Sequence, residues 1–193
     1  MTHRPFLSAL FLTPLAATIA MAETSPTDVL GKWQTEVSAR PAPGGGTAYL
    51  RTTTSFTEEK QELIVSVYAD AGLEMKLFEY HSGGPWESQG PADGAAGAMA
   101  VNMTNDFSLV TIFVNAPELW AAINLAACPL AIGEAVDISG CVTGPPFIVT
   151  DCIDLDIVMV DQDGRRLRYG GGDVDRCVVR PTEMSADEFF RVE

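Results

Sequence analysis

From Leu30 onward, apolar and polar residues alternate in short runs, the period-2 pattern of strands with one buried face. Trp33, Thr35 and Val37 share one side of a first strand, and Arg40 to Gly46 has loop composition. Tyr49 to Phe56 places Leu50, Thr52, Thr54 and Phe56 together. Gln61 to Ala69 sets Leu63, Val65 and Val67 opposite Glu62, Ser66 and Tyr68. Leu73 to His81 does the same with Leu73, Met75 and Leu77 against Glu74, Lys76, Phe78 and Tyr80. A brief strand follows at Pro85 to Glu87, then a loop at Pro91 to Gly97. Ala98 to Thr104 carries Met99, Val101 and Met103 on one side. It is predicted to pair with Phe107 to Phe113 through a turn at Asn105-Asp106.

The clearest alternation lies further on. Ile153, Leu155, Ile157 and Met159 interleave with Asp154, Asp156, Val158 and Val160, which predicts an apolar inner face and an acidic face towards solvent. Asp161-Gln162-Asp163-Gly164 supplies a turn, and Arg165 to Tyr169 returns as the second arm of a hairpin. One helix is expected before it, with Asn115 as N-cap, Pro117 and Glu118 in the first turn, an apolar stripe of Leu119, Trp120 and Ile123, and Pro129 as its stop. Val178 to Pro181 should end the sheet. Ser185 to Glu188 reads as a capping box for a last helical turn that folds Phe189 and Phe190 back. Successive antiparallel strands with short turns make a meander that tends to curl or close. The predicted class is therefore all-β: an antiparallel barrel with one helix before the C-terminal disulfide-braced hairpin, which the resemblances below make lipocalin-like.

The first residues change the setting. Arg4, the apolar run Phe6 to Ala20 and the Ala20-Met21-Ala22 cleavage site make 1–22 an export signal, leaving 23–193 as a single domain. The apolar run is too short to span a bilayer, so the mature chain is expected without a transmembrane segment, periplasmic or secreted. All four cysteines, Cys128, Cys141, Cys152 and Cys177, then read as two disulfides with three possible connectivities. Zinc-type close pairs are absent. Strand pairing should bring Cys152 to Cys177, which leaves Cys128 for Cys141. A formal net charge of −14 disfavours nucleic acid and anionic membranes as partners.

Catalysis finds little support. His81 is the one histidine beyond the signal, no G-x-S-x-G elbow occurs, and the disulfides use up the thiols. Asp161, Asp163, Asp173 and Asp175 lack the calcium-loop spacing and read as turn residues. The expectation is a protein that is not an enzyme and carries no metal or cofactor.

Two resemblances sharpen this reading. Gly31-Lys32-Trp33 is similar to the G-x-W of lipocalins, whose tryptophan closes one barrel end. A longer ordered set comprises Trp33, Arg40-Pro41, Leu50-Arg51, Phe56, Tyr68-Ala69-Asp70, Cys128, Gly133, Gly140-Cys141, Cys152, Asp154 to Val158, Leu167 to Gly170, Cys177 and Arg180-Pro181. It resembles the adenomatosis polyposis coli down-regulated one domain and spans nearly the whole mature chain. Animal members carry that domain in a membrane-tethered inhibitor of Wnt signalling, and exported bacterial proteins carry single copies. The resemblance implies a lipocalin-type barrel holding a lipid in an apolar pocket. It departs at Val37 and Leu73, where the family pattern has cysteines, and a packed Val37–Leu73 contact is expected in place of that disulfide.

The functional expectation is an exported, non-catalytic binding protein for a hydrophobic or lipid-like small molecule. Its pocket candidates are the residues read as inward-facing: Val65, Val67, Met75, Leu77, Met99, Val101, Met103, Ile157 and Met159. The methionines suit an adaptable lining. The alternative is a protein-interaction module, such as a secreted protease inhibitor. It would present the loops Pro41 to Gly46 and Pro91 to Gly97 to a secreted or envelope protein.

Overall fold

A computed structural model describes residues 22–43, 45–142, 147 and 152–192. The expected export signal lies, apart from Ala22, outside the described residues. In chain order the elements are α1 (Pro26–Val29), β1 (Gly31–Thr35), β2 (Ser38–Pro41), β3 (Thr47–Phe56), β4 (Lys60–Tyr68), β5 (Lys76–Pro91), β6 (Met99–Thr104), β7 (Phe107–Ile112), α2 (Pro117–Ala122), β8 (Ala135–Asp137), β9 (Ile153–Val160), β10 (Arg166–Tyr169) and β11 (Phe189–Val192).

The alternating stretches pair antiparallel, each with its neighbour, and the last strand returns to the first. β1, β3, β4, β5, β6, β9, β10 and β11 form a closed eight-stranded ring, sealed where β1 meets β11 at Trp33↔Arg191. β2 continues β1 along β3 after a break at Glu36-Val37, and β7 continues β6 along β5 after a break at Asn105-Asp106. β8 lies outside the ring on β7. This is the predicted barrel, and the hairpin β9–β10 falls where the alternation placed it.

Asn105-Asp106, expected to reverse the chain, does not. The reason lies in Gly83-Gly84 of β5. A Cβ on Gly84 would sit 2.1 Å from the Thr104 carbonyl oxygen, and the Asp106 N–H donates to Gly83 O at 2.8 Å. Two glycines let the facing chain press in, bulge and carry on. β5 is likewise a single long strand running through Pro85, at the point where β7 ends and β6 begins. It starts at Lys76 because the Asp70 carboxylate accepts the N–H groups of Glu74 and Met75, holding 70–75 as a turn with Leu73 at φ +59°.

Three further expectations are corrected. α2 is capped by Ala116, with no side-chain bond, in place of Asn115. Ser185 to Glu188 is irregular, with no helical turn, and leads Phe189 into the barrel. Val37 is exposed, and neither it nor Leu73 joins a hydrophobic core among the described residues, so no packed pair replaces the missing cysteines.

Each barrel end has its own core. At one, Trp33 is fully buried with Val29, Phe56, Trp86, Met99, Val101, Val158 and Leu167. Its indole N–H donates to Val29 O at 2.7 Å, and the Arg191 guanidinium lies 4.1 Å from the ring centre, a cation–π contact. The same guanidinium donates to Leu30 O and Asp28 O, which folds α1 across the opening. At the other end Val67, Phe78, Tyr80, Val110 and Ile112 pack under α2, with Trp120 edge-on to Phe78. Cys128–Cys141 braces that end, and Cys152–Cys177 ties the start of β9 to the segment after β10. Both bridges match the predicted connectivity.

Gly84→Ala is expected to destabilise the barrel by about 3 kcal/mol, because Cβ meets immobile backbone rather than a flexible side chain. Gly140→Ala, with nothing within 4 Å of its Cβ, should stay within about 0.5 kcal/mol of wild type. Urea unfolding of both variants tests the bulge, and equal stabilities would refute it.

Candidate functional site

Strand register decides what faces inward. Trp33 stands opposite Thr54, Thr54 opposite Leu63, Leu63 opposite Ser82, Trp86 opposite Met103, and Met103 opposite Asp154. Alternation then places Thr52, Gln61, Val65, Asp156 and Tyr169 on the same inner surface. Between the two apolar ends, the barrel therefore carries a largely polar layer.

Most of that layer is internally bonded. Thr54 Oγ1 and Tyr169 OH lie 2.8 Å apart, and Gln61 Nε2 donates to Thr54 Oγ1 at 3.1 Å. Burial pushes the Tyr169 phenol well above its ordinary range. Asp156 is 0% exposed: its Oδ1 accepts from the N–H groups of Ile157 at 2.7 Å and Gly170 at 3.0 Å, and its Oδ2 pairs with Arg176 Nη1. Arg176 Nη2 donates to Gly170 O at 2.8 Å. Glycine is needed at 170 for close approach, since a Cβ would lie 2.5 Å from Asp156 Oδ1 and 2.7 Å from Pro181. Arg180 donates to the carbonyls of Val101 and Asp156 and to Asn102 Oδ1.

Two polar atoms stand apart. Asp154 Oδ1 and Ser82 Oγ are buried without a hydrogen-bond partner among the described residues. Both line a cavity of about 310 Å³ whose apolar wall is Leu63, Val65, Met103 and Phe189, with Thr52, Gln61, Asn105, Tyr169 and Arg176 on the polar side. An outer cleft of about 520 Å³ lies beside the β1–β2 break, and the two spaces share Thr52, Val65, Asp187 and Phe189. Burial raises the Asp154 pKa against the pull of Arg176 and Arg180, and burial pushes Asp156 up to about 7 despite Arg176.

Of the pocket candidates, Val65 and Met103 line this cavity. Met99 and Val101 face inward but are consumed by the Trp33 core, and Val67 by the core under α2, where Leu77 also packs at the margin. Met75 is 56% exposed on the 70–75 turn and lines nothing inside. Ile157 and Met159 face outward. They are buried against Ala92, Ala95, Ala98 and Met184, so the loop after β5 covers them from outside. The acidic side of β9 accordingly points in, opposite to the sequence expectation. Thr52, Gln61, Ser82, Asn105, Asp154, Tyr169 and Arg176 were missed as lining residues. The available signal was Arg176 and Arg180, two arginines following two strand aspartates in a chain with few cations.

His81 points outward, with Nε2 3.5 Å from Glu62 Oε2. Asp161 accepts from the N–H groups of Arg165 and Arg166 and from Arg166 Nε, so its carboxylate shapes the β9–β10 turn. Compared with known proteins, the chain matches no family model, and no curated protein matches it significantly.

The raised carboxyls fix the sign of a pH dependence. Asp156 titrates near 7 when folded and near the ordinary value of about 3.9 when unfolded, so the folded chain holds more protons between those limits. Its stabilising contribution is complete below about pH 4 and lost as pH rises through 7. Urea unfolding should show the protein less stable at pH 7.5 than at pH 5 by about 2–3 kcal/mol, at ~1.4 kcal/mol per unit of pKa difference. Asp156→Asn should flatten that slope. Stability rising over this interval would contradict the buried carboxylate.

Proposed function

We propose that the protein is a non-catalytic binding protein for a small molecule with a hydrophobic body, held inside the barrel. The observation that carries this is the cavity of about 310 Å³ with one apolar wall, adjoining a cleft at the surface through shared residues. Ligand pockets begin at about 300 Å³. The inner space alone therefore suits a short-chain ligand, and a longer lipid would extend into the outer cleft. Two disulfides suit a periplasmic or secreted protein, and no described helix is long and apolar enough to cross a membrane. A closed antiparallel barrel is also what the resemblance to the adenomatosis polyposis coli down-regulated one domain implies. We read the chain as a divergent relative of that family on this ground.

A second reading rests on a different feature. Ile153, Val174, Val178 and Val179 are exposed around the Cys152–Cys177 bridge, and such a patch suits a secreted or envelope protein partner.

Calorimetric titration with a panel of medium-chain alcohols, amines, acids and lysolipids separates the two. Saturable binding to wild type is expected. Val65→Trp, which fills the junction of cavity and cleft, should weaken it at least tenfold with the circular dichroism spectrum retained. Met75→Gln, on the exposed turn, should leave it unchanged. If wild type binds nothing in the panel, the carrier reading fails and the interaction module takes its place.

A further inference from the structure

The interior is unevenly satisfied, and the imbalance has a chemical sign. Asp156 is saturated by two N–H groups and Arg176. Arg176 spends both terminal nitrogens on Asp156 and Gly170 O. The Gln61 amide nitrogen is taken by Thr54, which also bonds Tyr169 OH. The donor groups of Gln61 and Arg176 each already hold a partner. What stays open is Asp154 Oδ1, an acceptor on a residue only 9% exposed, and beside it Ser82 Oγ, a fully buried hydroxyl that can accept or donate. Both border the same cavity, across from the apolar wall of Leu63, Val65 and Met103. Leaving such groups unpaired is costly, so a site of this kind discriminates strongly in favour of a partner that pairs them.

We propose that the cavity selects ligands whose polar end donates hydrogen bonds, an alcohol or amine on a short apolar body, with Asp154 and Ser82 receiving that end. This rests on the binding reading above. Carboxylate ligands are disfavoured by the like charges of Asp154 and Asp187 bordering the space. The upward shift of Asp154, driven by burial and opposed by Arg176 and Arg180, fits a carboxyl without a hydrogen-bonded partner.

The test uses the 23–193 chain with its disulfides intact and four probes of one chain length: octanol, octylamine, octanoate and octyl methyl ether. Calorimetry at neutral pH should show octanol and octylamine binding at least tenfold tighter than octanoate and the ether. Asp154→Leu should bring octanol and the ether to within about twofold of each other. Asp154→Asn keeps an acceptor oxygen without the charge, so it should retain the preference for octanol and weaken octylamine about tenfold. It serves alone if the leucine variant fails to fold. Octanoate or the ether binding wild type as tightly as octanol overturns the proposal, as does a preference for octanol that survives Asp154→Leu. That last result would mean the carboxylate does not set the preference. Failure of all four probes to bind would instead sink the binding reading itself.

Discussion

The ion pair between Asp156 and Arg176 sets the geometry of the barrel's second half. A fully buried carboxylate is tolerable only when its charge and lone pairs are met, and breaking such a pair costs about 3–5 kcal/mol. Arg176 meets it from the segment after β10, which requires the chain leaving β10 to fold back along β9. Leu155 N–H donating to Arg176 O records that return. The next residue, Cys177, is bonded to Cys152 at the head of β9, so the bridge holds the arginine in register with its carboxylate. Gly170 completes the arrangement, giving its N–H to Asp156 and its carbonyl to Arg176 where any side chain would collide.

The two apolar ends explain why the remaining space lies in the middle. Trp33, clamped between Val29 and Arg191, and Trp120, packed on Phe78, each sit in a core that seals an end. Eight strands give an interior just wide enough for side chains to fill or for one small ligand. Small and polar residues at Thr52, Ser82 and Asn105 leave room that larger side chains would occupy. The cavity is therefore a product of the polar layer, and the Asp154 carboxylate left open within it is what gives it chemical preference.

Much of this architecture was legible in the alternation. β3, β4, β9 and β10 follow their period-2 patterns, and the hairpin that Cys152 and Cys177 flank fixes that bridge and leaves Cys128 for Cys141. Alternation identifies two faces of a strand but not which is inside. Assigning Ile157 and Met159 inward assumed that only the barrel interior is dry, yet residues 92–98 and Met184 make a second dry surface outside. Asn105-Asp106 carries turn chemistry, and nothing local reveals that Gly83-Gly84 on another strand converts it to a bulge. Arg176 reaches Asp156 across twenty positions, beyond any local pattern, so the polar layer emerges only in three dimensions.

A crystal structure of the protein soaked with octanol tests the central claim most directly. The account predicts density for the alcohol between Met103 and Phe189, with its hydroxyl within hydrogen-bond distance of Asp154 Oδ1 and Ser82 Oγ. An interior filled by rearranged side chains, with the alcohol absent or bound only on the outer surface, would contradict it.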